Sequence, residues 1–245
     1  MAVTIEPTLD PTVEHSRVLV TWGPGAEDVH RILGSLALSD AGVHVEVLGC
    51  SGLECRVRLA CPDPGRLTWA LGVVRAGFGD AVLGEDGATL EGVVVELLQR
   101  QGLCLGTAES LTSGSLAARL SEPPGASDVF RGGVVAYASD VKFEVLDVRE
   151  GPVVTAEAAM EMAEGAARLL GVDIAVALTG EAGPEPMEEP VGTVFVGSWL
   201  DGERRFVELS LEGDRDQIRR DAASHALDHV RHRLLTLEHS RLPRH

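Results

Sequence analysis

The sequence predicts an α/β protein: a three-layer α/β domain with a mixed sheet, preceded by a small α+β unit. Three observations carry this expectation. Ile174–Leu178 is a short continuous apolar run, the pattern of a strand covered on both faces. It lies among segments that alternate between strand and helix periodicity, the signature of a layered α/β architecture. The chain then closes on two strand-like runs, 191–199 and 204–211, joined through Asp201-Gly202, a strong hairpin signal.

Residues 1–16, with two prolines among mixed polar residues, read as a loose leader. The first unit, 17–86, follows with a strand at Val18–Trp22 and a helix from about Ala26 to Leu38. Strands at His44–Leu48 and Glu54–Cys61 both alternate with period 2, as half-buried strands do. A helix from about Arg66 to Arg75 and a strand at Asp80–Leu83 complete a βαββαβ order, the split unit of ferredoxin-like folds. The second domain, 87–245, opens with an amphipathic helix at 89–102 and a short buried strand through Leu103–Thr107. A helical pattern at Leu116–Leu120, a helix at 155–170 entered through Thr155 and a last helix from about Asp216 to Leu235 account for its other helices.

Composition narrows the function. The chain has 245 residues, a net charge of −17, 44% hydrophobic and 4% aromatic residues, and a mean hydropathy of +0.10. With so few aromatics the core must be built from Val, Leu and Ala. The acidic balance argues against nucleic acid as a partner, because phosphates would be repelled. A small anionic substrate in a locally positive pocket remains compatible with it. No apolar run approaches the ~20 residues needed to span a bilayer, and no basic segment precedes an apolar one at the start. A cytoplasmic location without membrane partners is therefore expected. Cys50, Cys55, Cys61 and Cys104 show no paired spacing. Cys50 and Cys55 flank a hairpin turn and could face each other, but reduced, buried thiols are the expected state in a cytosolic chain. His225, His229 and His232 recur at i, i+4 and i+7. Zinc could bind such a trio, yet no His-Glu-x-x-His accompanies it, so an exposed polar helix face is expected and no metal site is assigned.

The one tyrosine and the one lysine lie five residues apart, Tyr137 and Lys142, in a chain whose other cations are arginine and histidine. A lysine can lose its proton when buried, and an arginine cannot. Two readings follow: a surface lysine left by compositional drift, or a buried base beside a phenol that relays protons. Upstream, the strand ending at Thr107 runs into Ala108-Glu109-Ser110-Leu111-Thr112-Ser113-Gly114 and then the 116–120 helix. Strand, small polar turn and helix place Ser110 near a helix N-terminus, where backbone N–H groups can hold a developing oxyanion. The alternative is that the Ser/Thr cluster only caps that helix.

Five motifs come in order: Ala-Glu-Ser-x-Thr-x-Gly at 108–114, Gly-Gly-Val-Val-Ala-Tyr-x-x-x-x-Lys at 132–142, Thr-Gly-x-Ala-Gly-Pro at 179–184, Pro-Val-Gly-Thr-Val at 190–194 and Gly-Asp-Arg-x-x-Ile-Arg at 213–219. Over roughly 88–235 the sequence resembles the CinA C-terminal domain family, which includes nicotinamide mononucleotide (NMN) amidohydrolases. Residues 17–23 and 82–94 further resemble the middle domain of longer CinA proteins, often called KH-like; the N-terminal molybdopterin-biosynthesis-like domain of those proteins has no counterpart expected in the sixteen residues before Arg17. Gly49-Cys-Ser-Gly52 has the spacing of an RNA-binding KH loop, but it lies between two strands without basic surroundings and reads as a hairpin turn.

The resemblance implies hydrolysis of the carboxamide of NMN to nicotinate mononucleotide and ammonia, without a cofactor, in a homo-oligomer. It implies Ser110 as nucleophile and Lys142, directly or through Tyr137, as base. Backbone N–H groups at Thr112, Ser113 and Gly114 would hold the oxyanion. Glu109 would orient the turn, Thr179 and Gly180 would contact the nucleotide, and Arg215 is open between a phosphate partner and an ion pair with a neighbouring Asp. The sequence departs from the family at Leu111, where many members carry Cys, and at Ser113 and Ser139. It departs most at 181–190, where a glycine-rich loop is replaced by Glu181-Ala-Gly-Pro-Glu-Pro-Met-Glu-Glu-Pro190. Those carboxylates motivate a second functional class, a catalytically weak binding or assembly protein. RNA binding through the first unit is disfavoured by charge.

Overall fold

The computed structural model describes residues 15–186 and 188–241, and the chain divides between Thr89 and Leu90 into two compact units. The first contains β1 (His15–Trp22), α1 (Ala26–Ser35), β2 (His44–Ser51), β3 (Glu54–Cys61), α2 (Pro64–Phe78) and β4 (Val82–Glu85). Its sheet order is β2-β3-β1-β4 with every pairing antiparallel, the split βαββαβ arrangement expected from the element order. The period-2 pattern of β3 turns Cys55, Val57 and Leu59 into a core with Leu19, Val29 and Val74. α2 starts where Asp63 accepts the Arg66 N–H at 2.9 Å and Pro64 supplies a helix-ready first residue.

Two expectations for this unit need correction. His15 and Ser16 belong to β1 rather than to a leader, because they pair with Cys61 and Ala60 in the ladder; residues 1–14 lie outside the described residues. Cys50 and Cys55 form a disulfide instead of remaining reduced. The β2–β3 register sets them directly opposite each other. Cys61 and Cys104 are free thiols. Gly49–Gly52 belongs to this same hairpin, as expected, with β2 and β3 on either side.

The second unit contains α3 (Leu90–Gln101), β5 (Leu105–Glu109), α4 (Ser115–Leu120), α5 (Ala126–Val129), β6 (Phe130–Val135), α6 (Ser139–Leu146), α7 (Ala156–Leu170), β7 (Ile174–Gly180), β8 (Thr193–Leu200), β9 (Glu203–Ser210) and α8 (Arg215–Arg241). The sheet runs β6-β5-β7-β8-β9. Its first three strands are parallel, and β8 and β9 are antiparallel additions. Asp201 and Gly202 both adopt positive φ in the β8–β9 turn, as a tight hairpin requires.

Helices cover both faces of this sheet. Successive residues of a strand point to opposite faces. A Cβ at Gly197 of β8 would lie 2.3 Å from the Ala159 backbone of α7, whereas Ser198 bonds His229 of α8. α7 therefore covers one face and α8 the other, three layers in all. Against the sheet α7 presents Ala158, Met162, Ala163 and Ala166 to Ala108, Ala175 and Ala177. With side chains this small, helix and sheet approach closely. Gly165 brings α6 against α7 in the same way: a Cβ there would meet the Leu146 carbonyl oxygen at 2.1 Å. That contact holds the helix bearing Lys142 in place.

Candidate active site

The C-terminal ends of the parallel strands carry the site, where open α/β sheets place their ligands. Ser110 is the residue after β5, and its N–H continues the ladder to Leu178 of β7 at 3.0 Å. Tyr137 follows β6 by two residues and leads into α6, which carries Lys142. Thr179 and Gly180 end β7, and Arg215 opens α8. Ser110, Tyr137, Lys142, Thr179, Gly180 and Arg215 all line one cavity of about 230 Å³. Four chain segments far apart in sequence thus converge on one space.

Lys142 is only 2% exposed. Burial disfavours its ammonium form and pushes its pKa down from the ordinary 10.5, partly opposed by the carboxylate of Glu188. Its Nζ donates to the Tyr137 carbonyl oxygen at 3.3 Å. The surface-lysine reading is thereby excluded. The Tyr137 phenol is 57% exposed and accepts a hydrogen bond from Arg215 at 2.9 Å, so the contact between Tyr137 and Lys142 runs through the backbone, not through a phenol relay. Ser110 is buried to 9% exposure on the cavity wall.

Glu109, Thr112, Ser113 and Gly114 stand outside the cavity lining. Glu109, buried, turns its carboxylate onto the start of α4 and accepts the N–H groups of Gly114 at 2.9 Å, Leu116 at 3.1 Å and Ala117 at 2.8 Å. Hydrogen bonds to an ionised acceptor contribute on the order of 2 kcal/mol each, so this carboxylate fixes the turn that presents Ser110. It also corrects the expected oxyanion site. The Gly114 N–H is taken by Glu109, and the Ser113 N–H by the Ser110 carbonyl at 3.1 Å. Among the described residues no acceptor takes the N–H groups of Leu111 or Thr112. Thr112 is fully buried, and Ser113 is exposed with φ of 53°.

Arg215, open from the sequence between a phosphate partner and an ion pair, makes no carboxylate contact among the described residues. It donates to the Gly183 carbonyl at 2.5 Å and to Tyr137, clasping the 181–190 loop to the residues after β6. Thr179 Oγ1 donates to the Val153 carbonyl at 2.7 Å, which secures the segment before α7. The acidic loop does not simply present four free charges. Glu181 is buried and accepts the Glu188 N–H at 2.9 Å. Glu188 in turn accepts two backbone N–H groups of the 153–154 segment.

The CinA C-terminal domain model matches residues 87–234. The chain belongs to the CinA C-terminal domain family. A CinA-like protein of Dictyoglomus turgidum is 42% identical over 171 residues, which cover 67% of this chain and 42% of that protein. A CinA-like protein of Geobacter metallireducens is 35% identical over 257 residues, covering 96% of this chain and 62% of the relative. The chain therefore spans less than two thirds of the length of these curated relatives. Among solved structures, a CinA superfamily protein from Klebsiella pneumoniae shares 32% identity with a TM-score of 0.59 and covers 60% of this chain and 96% of its own. The competence/damage-inducible protein CihA from Agrobacterium tumefaciens shares 32% identity with a TM-score of 0.55, covering 58% and 91%.

Within this CinA-family domain, sequence reasoning missed two features of the site. Val153 and Val154 line the cavity, yet nothing in an apolar dipeptide before a helix signals a wall. Arg219 of α8 donates to the carbonyls of Leu111 at 2.9 Å and Thr112 at 3.2 Å, holding the turn from behind. It was the last residue of the 213–219 motif, and that was the available signal. The histidine expectation is also corrected. His229 is half-buried, bonds Ser198 at 2.7 Å, and burial together with nearby Arg233 lowers its pKa to about 4. His225 is partly buried with its pKa lowered by the same cause, while His232 is exposed. These side chains belong to the α8–sheet contact more than to a solvated face. Among the described residues no group of three or more His, Cys, Asp and Glu could hold a metal ion, and no helix is long and apolar enough to cross a membrane.

Proposed function

We propose that this chain hydrolyses the carboxamide of a pyridine nucleotide, with NMN giving nicotinate mononucleotide and ammonia. The observation that supports it best is the lysine buried to 2% exposure in the same cavity as Ser110. A desolvated lysine is an amine that can act as a base near neutral pH. Ser110 Oγ attacks the amide carbon and its proton passes to the neutral Lys142 Nζ. The carbonyl oxygen, now an oxyanion, is served by the unclaimed N–H of Leu111, which lines the cavity beside Ser110, since donors poised for developing charge are the largest single aid to acyl transfer. The tetrahedral species collapses, the C–N bond breaks, and the leaving nitrogen takes the proton from the Lys142 ammonium, releasing ammonia. Water then attacks the acyl-serine, Lys142 takes its proton and returns it to Ser110 Oγ, and the acid is released.

Ammonia release from NMN by the purified protein, beside a Ser110→Ala control, tests this reading. Turnover that Ser110→Ala abolishes supports it. No release by the unmutated protein, or full activity in the variant, overturns it. The acidic 181–190 loop favours a second reading, a catalytically silent binding or assembly protein; saturable NMN binding without ammonia release would support that one.

A further inference from the structure

The cavity contains a pair of backbone donors that the chain itself already occupies. Val153 and Val154 present successive N–H groups immediately before Thr155, the cap of the fifteen-residue helix α7. Both donate to the same oxygen, Oε2 of Glu188, at 2.9 Å each. All three residues line the cavity. Two adjacent amides converging on one anionic oxygen ahead of a helix are the arrangement that takes a phosphate oxygen elsewhere in proteins. Here the anion is a carboxylate supplied in cis. It is not a loose surface charge: the Glu188 N–H is fixed by Glu181, whose own backbone bonds Thr193 at 2.9 Å and Gly192 at 2.8 Å. Glu181 and Glu185 line the cavity too, so the lining holds three carboxylates against the two cations Lys142 and Arg215.

We infer that Glu188 determines the specificity of this cavity: its carboxylate holds the amide pair that a substrate phosphate would take, so the site favours a pyridinium carboxamide riboside over the same compound bearing a 5′-phosphate. The inference rests on the proposed amidohydrolase reading for the base and its carboxamide, and goes beyond it in the ligand's charge. A phosphate entering this space must break two charge-assisted hydrogen bonds and then lie beside the displaced carboxylate. An uncharged ribose hydroxyl faces neither penalty. Glu188 also favours the ammonium form of Lys142. Removing it therefore leaves more of the amine neutral, and the acid limb of the pH–rate profile should move to lower pH.

Calorimetric titration in a Ser110→Ala background, where the ligand persists, separates the alternatives. NMN and nicotinamide riboside are each titrated into Glu188→Ala, Glu188→Gln and the parent. The expected result is an NMN dissociation constant lowered roughly tenfold by Glu188→Ala, with the riboside value changed by less than about twofold. Glu188→Gln keeps the side-chain length and a neutral acceptor on the two amides. It should show the same selectivity change in smaller measure, and it guards against a collapsed loop in the alanine variant. Equal shifts for both ligands, no shift for NMN, or tighter NMN than riboside binding in the parent would overturn the inference. Ammonia release in the Ser110 protein is scored separately. Selective tightening without turnover would leave the inference standing and remove the hydrolase reading. Turnover that prefers NMN and ignores Glu188 would do the reverse.

Discussion

The two units of the chain bury different chemistry. Among the described residues of the first unit, Thr21 is the only buried polar side chain, its hydroxyl bonded to the Cys55 carbonyl at 3.3 Å. The second unit buries Glu109, Ser110, Lys142, Glu181, Arg231 and Arg233 among others. Burying a charge is costly unless it is paired or hydrogen-bonded. Glu109 meets that cost with three backbone N–H groups and Arg233 with Ser198 and Glu203. Lys142 meets it least well, having one carbonyl partner and no carboxylate within ion-pair distance among the described residues. A sheet that only needs to fold can keep its core apolar, as the first unit does. The unsolvated amine of the second unit costs stability, which the proposed role as a base would explain.

The sharpest way to break this comparison is at Lys142. Lys142→Arg keeps a cation but cannot accept a proton, so kcat for ammonia release should fall by about 10³-fold; retained turnover would remove Lys142 as the base. Lys142→Met should raise the melting temperature at neutral pH, because it removes an amine that is protonated in the unfolded chain and penalised by burial in the folded one. The sign follows from the depressed pKa of the folded lysine. The unfolded chain binds the extra proton, so the native protein gains stability as pH rises from the folded value towards 10.5. The advantage of Lys142→Met should shrink over that window, and an advantage independent of pH would contradict it.

Arg219 tests whether the second unit positions its nucleophile through buried polar contacts. Arg219→Ala removes both donors to the Leu111–Thr112 carbonyls. A small displacement of the Ser110 turn should lower kcat by roughly tenfold to a hundredfold with little change in KM. Arg219→Lys should restore part of the loss. An unchanged kcat in Arg219→Ala would make the contact structural only.

His229 gives a third test, on stability alone. Its folded pKa is about 4, against 6.5 in the unfolded chain. Stability is full above pH 6.5 and is lost as pH falls towards 4, because the unfolded state takes up the proton first. Urea unfolding should show a loss on the order of 3 kcal/mol from this group over that range, and His229→Gln should flatten the dependence. A parallel loss in the variant would assign the pH dependence to other residues. The smallest effect is expected in the first unit. Thr21→Val replaces a hydroxyl with a methyl in an apolar core and should change stability by less than about 1.5 kcal/mol, leaving ammonia release untouched. A change in kcat would bring the first unit into the chemistry and end the contrast.

By itself the sequence determined much of this protein through local rules. Period-2 segments and turn residues placed the strands of the first unit, and the Asp201-Gly202 hairpin and the buried 174–178 strand placed the mixed sheet. The scarcity of lysine and tyrosine drew attention to the two residues that line the cavity with Ser110. β6 and α6 escaped strand and helix reading, because Gly132-Gly133 weakens the strand signal and the eight residues of α6 are too few to show a clear period. Other facts were not local. That His229 of α8 lies against Ser198 of β8, 31 positions away, follows from which faces meet. The placement of Glu188 on the amides of Val153 and Val154 bridges 35 and 34 positions of chain. No sequence period records that distance. Tertiary structure decides it, because backbone donors and side-chain charges find their partners only after the sheet and its helices have packed.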